Sequence, residues 1–191
     1  MKVEFVLEFP HDYEVEEGGD LPSGGTTPVK YLPSETALGR DGVFLRFTLP
    51  GRPSWLGQFA FGRMGHLNAV YSCPNPEVAC VLTEGRAYLV DVHSASFLAE
   101  VRCAPVKQVV PLVASNLILF VDDIGITAIG RDGEAWRSAR VAWDEAVITG
   151  HDQTYVWGTG FDPTNNKSPR SSFKVELSSG AVVEKTTWTP D

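Results

Sequence analysis

A shift of about 38 residues lays this chain on itself, a spacing within the range of blade and solenoid repeats. Glu77-Val78-Ala79-Cys80-Val81-Leu82 falls on Ser115-Asn116-Leu117-Ile118-Leu119-Phe120, and a second shift lands on Gln153-Thr154-Tyr155-Val156-Trp157-Gly158. The preceding segments coincide too: Ala69-Val70-Tyr71, Lys107-Gln108-Val109 and Glu145-Ala146-Val147. Tyr88-Leu89-Val90 matches Ile126-Thr127-Ala128, while the third copy, Phe173-Lys174-Val175, is delayed, which places an inserted, exposed and mobile loop at 162–170. Units of about 40 residues made of four short strands are the signature of propeller blades. Within them Cys80 and Val81, like Ile118 and Leu119, are apolar on both alternations, as in strands covered on both faces. Asp132-Gly133 and Ser179-Gly180 supply the positive φ of tight third-to-fourth-strand turns. The expected fold is all-β, with antiparallel four-stranded repeats at 69–106, 107–144 and 145–191, propeller-like and either incomplete or four-bladed. A β-sandwich or an open barrel is the alternative.

Three blades do not close a ring. Residues 1–68 are therefore read as a separate N-terminal β segment, which supplies a fourth sheet or caps an open edge, beside 69–191 with its three blade-like repeats. Val3, Phe5, Leu7 and Phe9 alternate with polar residues, as do Val43, Leu45, Phe47 and Leu49, so both runs read as half-buried strands. The glycine-rich stretch 18–25 reads as a mobile acidic loop, and 34–39 as a helical turn.

Charge narrows the function classes. The chain has 191 residues, 24 acidic and 16 basic, for a net charge of −8. Most of that excess comes from Glu4, Glu8, Asp12, Glu14, Glu16, Glu17 and Asp20. No basic stripe is present, so nucleic-acid binding is not expected. The longest apolar runs, such as Leu117-Ile118-Leu119-Phe120-Val121, fall far short of the roughly 20 residues of a membrane span. Glutamates interrupt the N-terminal run where a signal peptide needs an apolar core, so the expected location is the cytoplasm. The odd set Cys73, Cys80 and Cys103 has no C-x-x-C spacing and reads as reduced thiols rather than a disulfide framework or zinc site.

The hairpin Ala128-Ile129-Gly130-Arg131-Asp132-Gly133-Glu134-Ala135-Trp136 resembles a quinoprotein-type propeller blade, in which Asp, Gly and Trp close the hairpin. The longer pattern Trp136-Arg137-Ser138, Trp143-Asp144 and Gly160-Phe161-Asp162-Pro163-Thr164 is similar to uncharacterised bacterial proteins. The resemblance implies a fold and no quinone; no cofactor and no metal is expected.

Nucleophile elbows, phosphate loops and histidine metal spacings are absent from the sequence, and an enzyme is the less favoured reading. Aromatic and charged residues are more informative. Trp136, Arg137, Arg140, Trp143 and Trp157 are candidate binding residues, because Trp and Arg dominate binding hot spots. An unbroken strand would put Trp136, Ser138 and Arg140 on one face, with Arg137 paired to an acid such as Asp132. Asp12, Glu14, Glu16, Glu17 and Asp20 are candidates for steering a basic partner, or for protecting a strand edge. The expectation is a non-enzymatic protein-interaction module, immunity-like or inhibitory toward a basic protein. A small-molecule or carbohydrate-binding domain using Trp136, Trp143 and Trp157 is the alternative. Self-association through an open sheet edge is a further expectation.

Overall fold

The computed structural model describes residues 2–18, 29–34, 41–62, 64–65, 67–164 and 170–186. The chain divides into two compact units, Met1–Val101 and Arg102–Asp191.

The first unit begins with β1 (Glu4–Val6), β2 (Glu14–Glu17), β3 (Val29–Leu32), β4 (Gly42–Thr48) and β5 (Trp55–Ala60). It continues with β6 (Asn68–Ser72), β7 (Val78–Thr83), β8 (Arg86–Asp91) and β9 (Ser96–Glu100). Two sheets result, ordered β2-β4-β5-β3 and β1-β6-β7-β8-β9. Pairing is antiparallel except where β3 runs parallel to β5 and β1 parallel to β6. Alternation on β4 is clean: Val43, Leu45 and Phe47 are buried, and they join Trp55 and Phe59 of β5 in a core shared with Val70, Val81, Tyr88 and Val90 of the other sheet. All of β7 is buried, as its two-faced apolar sequence requires.

The second unit contains β10 (Gln108–Leu112), β11 (Leu117–Val121), β12 (Ile126–Gly130), β13 (Gly133–Arg137), β14 (Asp144–His151), β15 (Tyr155–Phe161), β16 (Arg170–Glu176) and β17 (Val182–Lys185). They form two antiparallel meanders, β10-β11-β12-β13 and β14-β15-β16-β17. Leu119, Val121 and Ala128 of one sheet pack with Ala146, Ile148, Val156 and Phe173 of the other. The architecture is thus all-β, built from four- and five-stranded, mainly antiparallel sheets. Gly133 (φ +112°) and Gly180 (φ +73°) turn the third strand into the fourth in the left-handed conformation expected of them. Cys73, Cys80 and Cys103 are buried free thiols. Among the described residues no helix is long and apolar enough to cross a membrane.

One indole in each unit ties its two sheets together. Trp55 Nε1 donates to Val92 O at 2.9 Å, and Trp136 Nε1 donates to Leu177 O at 2.7 Å. Both acceptors sit one residue beyond the third strand of a meander. Their own amides donate in turn to Glu77 O and Thr154 O, at 2.8 Å each. The acceptors thus occupy equivalent places in the two units, whereas Trp55 comes from an inner strand and Trp136 from an edge strand.

Several expectations are corrected. The N-terminal alternation does not persist: the strand covers only Glu4–Val6, Val3 and Phe9 are buried, and Phe5 is 38% exposed. Strand β13 ends at Arg137, so Ser138 and Arg140 do not continue the Trp136 face. A bulge between Ala128 and Ile129 shifts the register there, and Arg137 reaches Asp122 (3.8 Å) rather than Asp132. Asp162, at the start of the inserted loop, is buried rather than exposed. Residues 165–169 of that loop, residues 19–25 of the acidic loop with Asp20, and residues 35–39 of the expected helical turn lie outside the described residues.

Candidate functional site

Strand directions gather the loops of the second unit at two opposite ends. At one end the β10–β11, β14–β15 and β16–β17 turns, with strand β13, enclose an open cleft of about 630 Å³. Leu117, Leu177 and Trp136 give it apolar surface, and Ser115, Gln153 and Ser178 give it polar side chains. Ala114 and Ala135, both exposed, complete the lining. Trp136 is 8% exposed, and Gly180 lies against its ring. Its single polar atom is already committed to Leu177 O, so it presents hydrocarbon to the cleft.

The opposite end carries the β11–β12, β13–β14 and β15–β16 connections. Trp143 is 48% exposed there. The Arg140 guanidinium lies over its ring, 4.5 Å from the centroid, and Arg140 Nε donates to Ala142 O at 3.1 Å. The indole and the guanidinium are thus held by each other and by the backbone. Arg170 pairs with Glu145 at 3.1 Å. Lys185 Nζ donates to Arg140 O at 3.4 Å. Glu145 itself sits at φ +52°, an uncommon conformation for a residue with a Cβ.

The three tryptophans read as one ligand site are therefore dispersed. Trp136 lines the cleft, and Trp143 caps the other end. Trp157 lies on the outward face of β15, opposite Gly150 and Lys174, with 38% exposure. A Cβ at position 150 would stand 2.6 Å from Trp157 Nε1, so the glycine lets this indole lie flat on the sheet.

In the first unit the candidate acids cluster at the edge strand β2. Glu14, Glu16 and Glu17 are exposed. Glu16 pairs with Arg46 at 3.4 Å, and Glu17 Oε1 accepts from Val3 N at 2.9 Å. Asp12 Oδ1 lies 2.9 Å from His93 Nε2, and that hydrogen bond lowers the Asp12 pKa. Nearby, Asp91 accepts from Ser94 N at 2.8 Å. An acidic edge strand satisfies the requirements of both steering and edge protection.

Several acids elsewhere are committed to their own loops, and Glu134 to an arginine. Asp122 Oδ1 accepts from Ile124 N and Gly125 N, at 2.9 and 2.7 Å. Asp152 Oδ1 accepts from Thr154 N and Tyr155 N, both at 2.7 Å, which holds its carboxyl below the usual range. Asp162 is lowered by the Thr164 hydroxyl and amide. Glu134 is lowered by Arg102, which grips it through Nε and Nη2. Among the described residues no group of three His, Cys, Asp or Glu side chains is placed to hold a metal ion. Sequence reasoning missed Trp55 as the counterpart of Trp136. It also missed the cleft, whose polar residues come from three separate turns.

No protein-family model and no curated protein matches the chain. Among solved structures, the computationally designed Ika8 protein is similar over 77% of this chain and 46% of its own, with 9% identity and a TM-score of 0.43. Kuenenia stuttgartiensis hydrazine synthase is similar over 74% and 42%, with 14% identity and a TM-score of 0.42. A eukaryotic initiation factor is similar over 78% and 40%, with 13% identity and a TM-score of 0.41. The chain therefore spans less than half the length of each of these structures.

Proposed function

We propose that this protein works by binding another protein, with Trp143 and Arg140 as the anchor and the acidic strand β2 as a steering surface suited to a basic partner. The observation that carries this reading is the 48% exposure of an indole already immobilised beneath a guanidinium. Tryptophan and arginine are the residues most enriched at binding hot spots. A pre-ordered pair loses less side-chain entropy on association than two free side chains do. The exposed carboxylates of Glu14, Glu16 and Glu17 raise the encounter rate with a cationic surface. The scaffold in this reading is propeller-like, as the four-stranded meanders and the quinoprotein-type hairpin at 128–136 suggest. In a bacterial cytoplasm such a module would occupy a basic protein in the manner of an inhibitor or immunity protein.

Parallel affinity capture with the wild type and Trp143→Ala, followed by purification of the captured protein, tests this reading. A basic protein that binds the wild type directly and is lost from the variant supports it. Equal binding of the purified partner by both proteins removes Trp143 from the interface and overturns it.

A further inference from the structure

The cleft at the turn end of the second unit combines three properties that together select a ligand. First, among the described residues no ionisable side chain lines it. A charged ligand would lose hydration there without gaining a counter-charge. Second, Ser115, Gln153 and Ser178 bring polar side chains that make no hydrogen bond to another described residue. Two hydroxyls and one carboxamide can each donate and accept. Third, the remaining side chains of the lining, among them Leu117, Leu177 and Trp136, add apolar surface. The volume, about 630 Å³, lies within the span of small-molecule sites.

The geometry points to a neutral mono- or disaccharide as the occupant of this cleft. A sugar ring carries hydroxyls around its rim and C–H groups on its faces. It therefore uses the hydroxyl–carboxamide set and the aliphatic surface at once. A nucleoside is also neutral, but its base needs an open aromatic face to stack on. Trp136 does not provide one, since Gly180 lies against its ring and the residue is 8% exposed. The site is independent of the Trp143 anchor, which lies at the other end of the unit.

The test is a titration of the full, isotope-labelled chain followed by nuclear magnetic resonance. Maltose, cellobiose, lactose and N-acetylglucosamine are each added to about 20 mM, enough to fill a site of millimolar affinity. Adenosine and citrate serve as the aromatic and the charged probe. At least one saccharide is expected to shift the Gln153 carboxamide and Trp136 indole signals saturably, leaving the Trp55 and Trp143 indoles in place. Gln153→Ala weakens this binding several-fold, up to about tenfold, through the loss of one hydrogen bond. Ala135→Phe, at an exposed position that leaves the core untouched, abolishes it by filling the cleft. The inference is overturned if none of the saccharides moves these signals, if adenosine or citrate moves them instead, or if Ala135→Phe leaves saccharide binding unchanged.

Discussion

Gly180 lies against the indole of Trp136 so closely that a Cβ at position 180 would stand 2.6 Å from Cε3. The backbone there is left-handed, at φ +73°, and the indole cannot retreat without breaking its bond to Leu177 O. Gly180→Ala therefore meets two penalties: about 1–2 kcal/mol for the left-handed backbone and about 1–3 kcal/mol for overpacking. A lowered urea midpoint with an unchanged slope is the expected result. Trp136→Phe keeps an aromatic ring but leaves a cavity and strands the Leu177 carbonyl; the lost hydrogen bond alone should cost about 1–3 kcal/mol, with the cavity adding to it.

Leu119 is fully buried between the two sheets of the second unit. Leu119→Ala should destabilise the protein by about 2–5 kcal/mol. An unchanged denaturation midpoint would place Leu119 outside the core.

The Asp162 carboxyl accepts from Thr164 N at 3.0 Å and from Thr164 Oγ1 at 2.6 Å, and these bonds lower its pKa. A carboxyl depressed in the folded state stabilises above its unfolded value of about 3.9, and that contribution is lost as pH falls through the folded value. Asp162→Asn should therefore lower Tm at pH 7, with the difference from wild type closing as pH drops below about 4. A difference that stays constant across that range would show that the charge is irrelevant.

Cys73 is buried and its thiol is pushed up to about 12 by desolvation; Cys80 and Cys103 are raised by the same cause. The thiolate is the reactive form. At pH 8 all three should react with a disulfide reagent only as fast as the protein opens, and at once in denaturant. A thiol that reacts in the native protein at the rate of free cysteine would contradict the burial.

Once the captured partner is purified, replacing Asp12, Glu14, Glu16 and Glu17 with their amides should slow association several-fold and flatten its salt dependence, with little change in dissociation. Aggregation of this variant without any change in association rate would assign the acids to edge protection instead.

The repeat was legible because a strand covered on both faces must be apolar on both alternations. Cys80 with Val81 and Ile118 with Leu119 carry that mark directly. The N-terminal third was harder to read. Parallel pairing of β1 with β6 and of β3 with β5 joins segments far apart in the chain, and no local pattern specifies such a partner. Neither the bulge between Ala128 and Ile129 nor the pairing of Arg137 with Asp122 was legible locally, since both depend on how strands β12 and β13 are registered. The cleft was not legible because Ser115, Gln153 and Ser178 are ordinary turn residues until three turns converge. Trp143 was named from composition alone, but its stacking under Arg140 required the chain to leave the strand at Arg137.

The parallel pairing of β1 also sets an order of events during synthesis. Glu4 pairs opposite Ala69, roughly 65 residues further along. At about 5–20 residues per second on the ribosome, β1 waits several seconds before its partner strand exists. Each meander of the second unit pairs every strand with its immediate predecessor and closes as it is made. Strand β1 thus waits longer for its partner than any strand of the second unit does, and Phe5 stays available to chaperones or to other nascent chains throughout that interval.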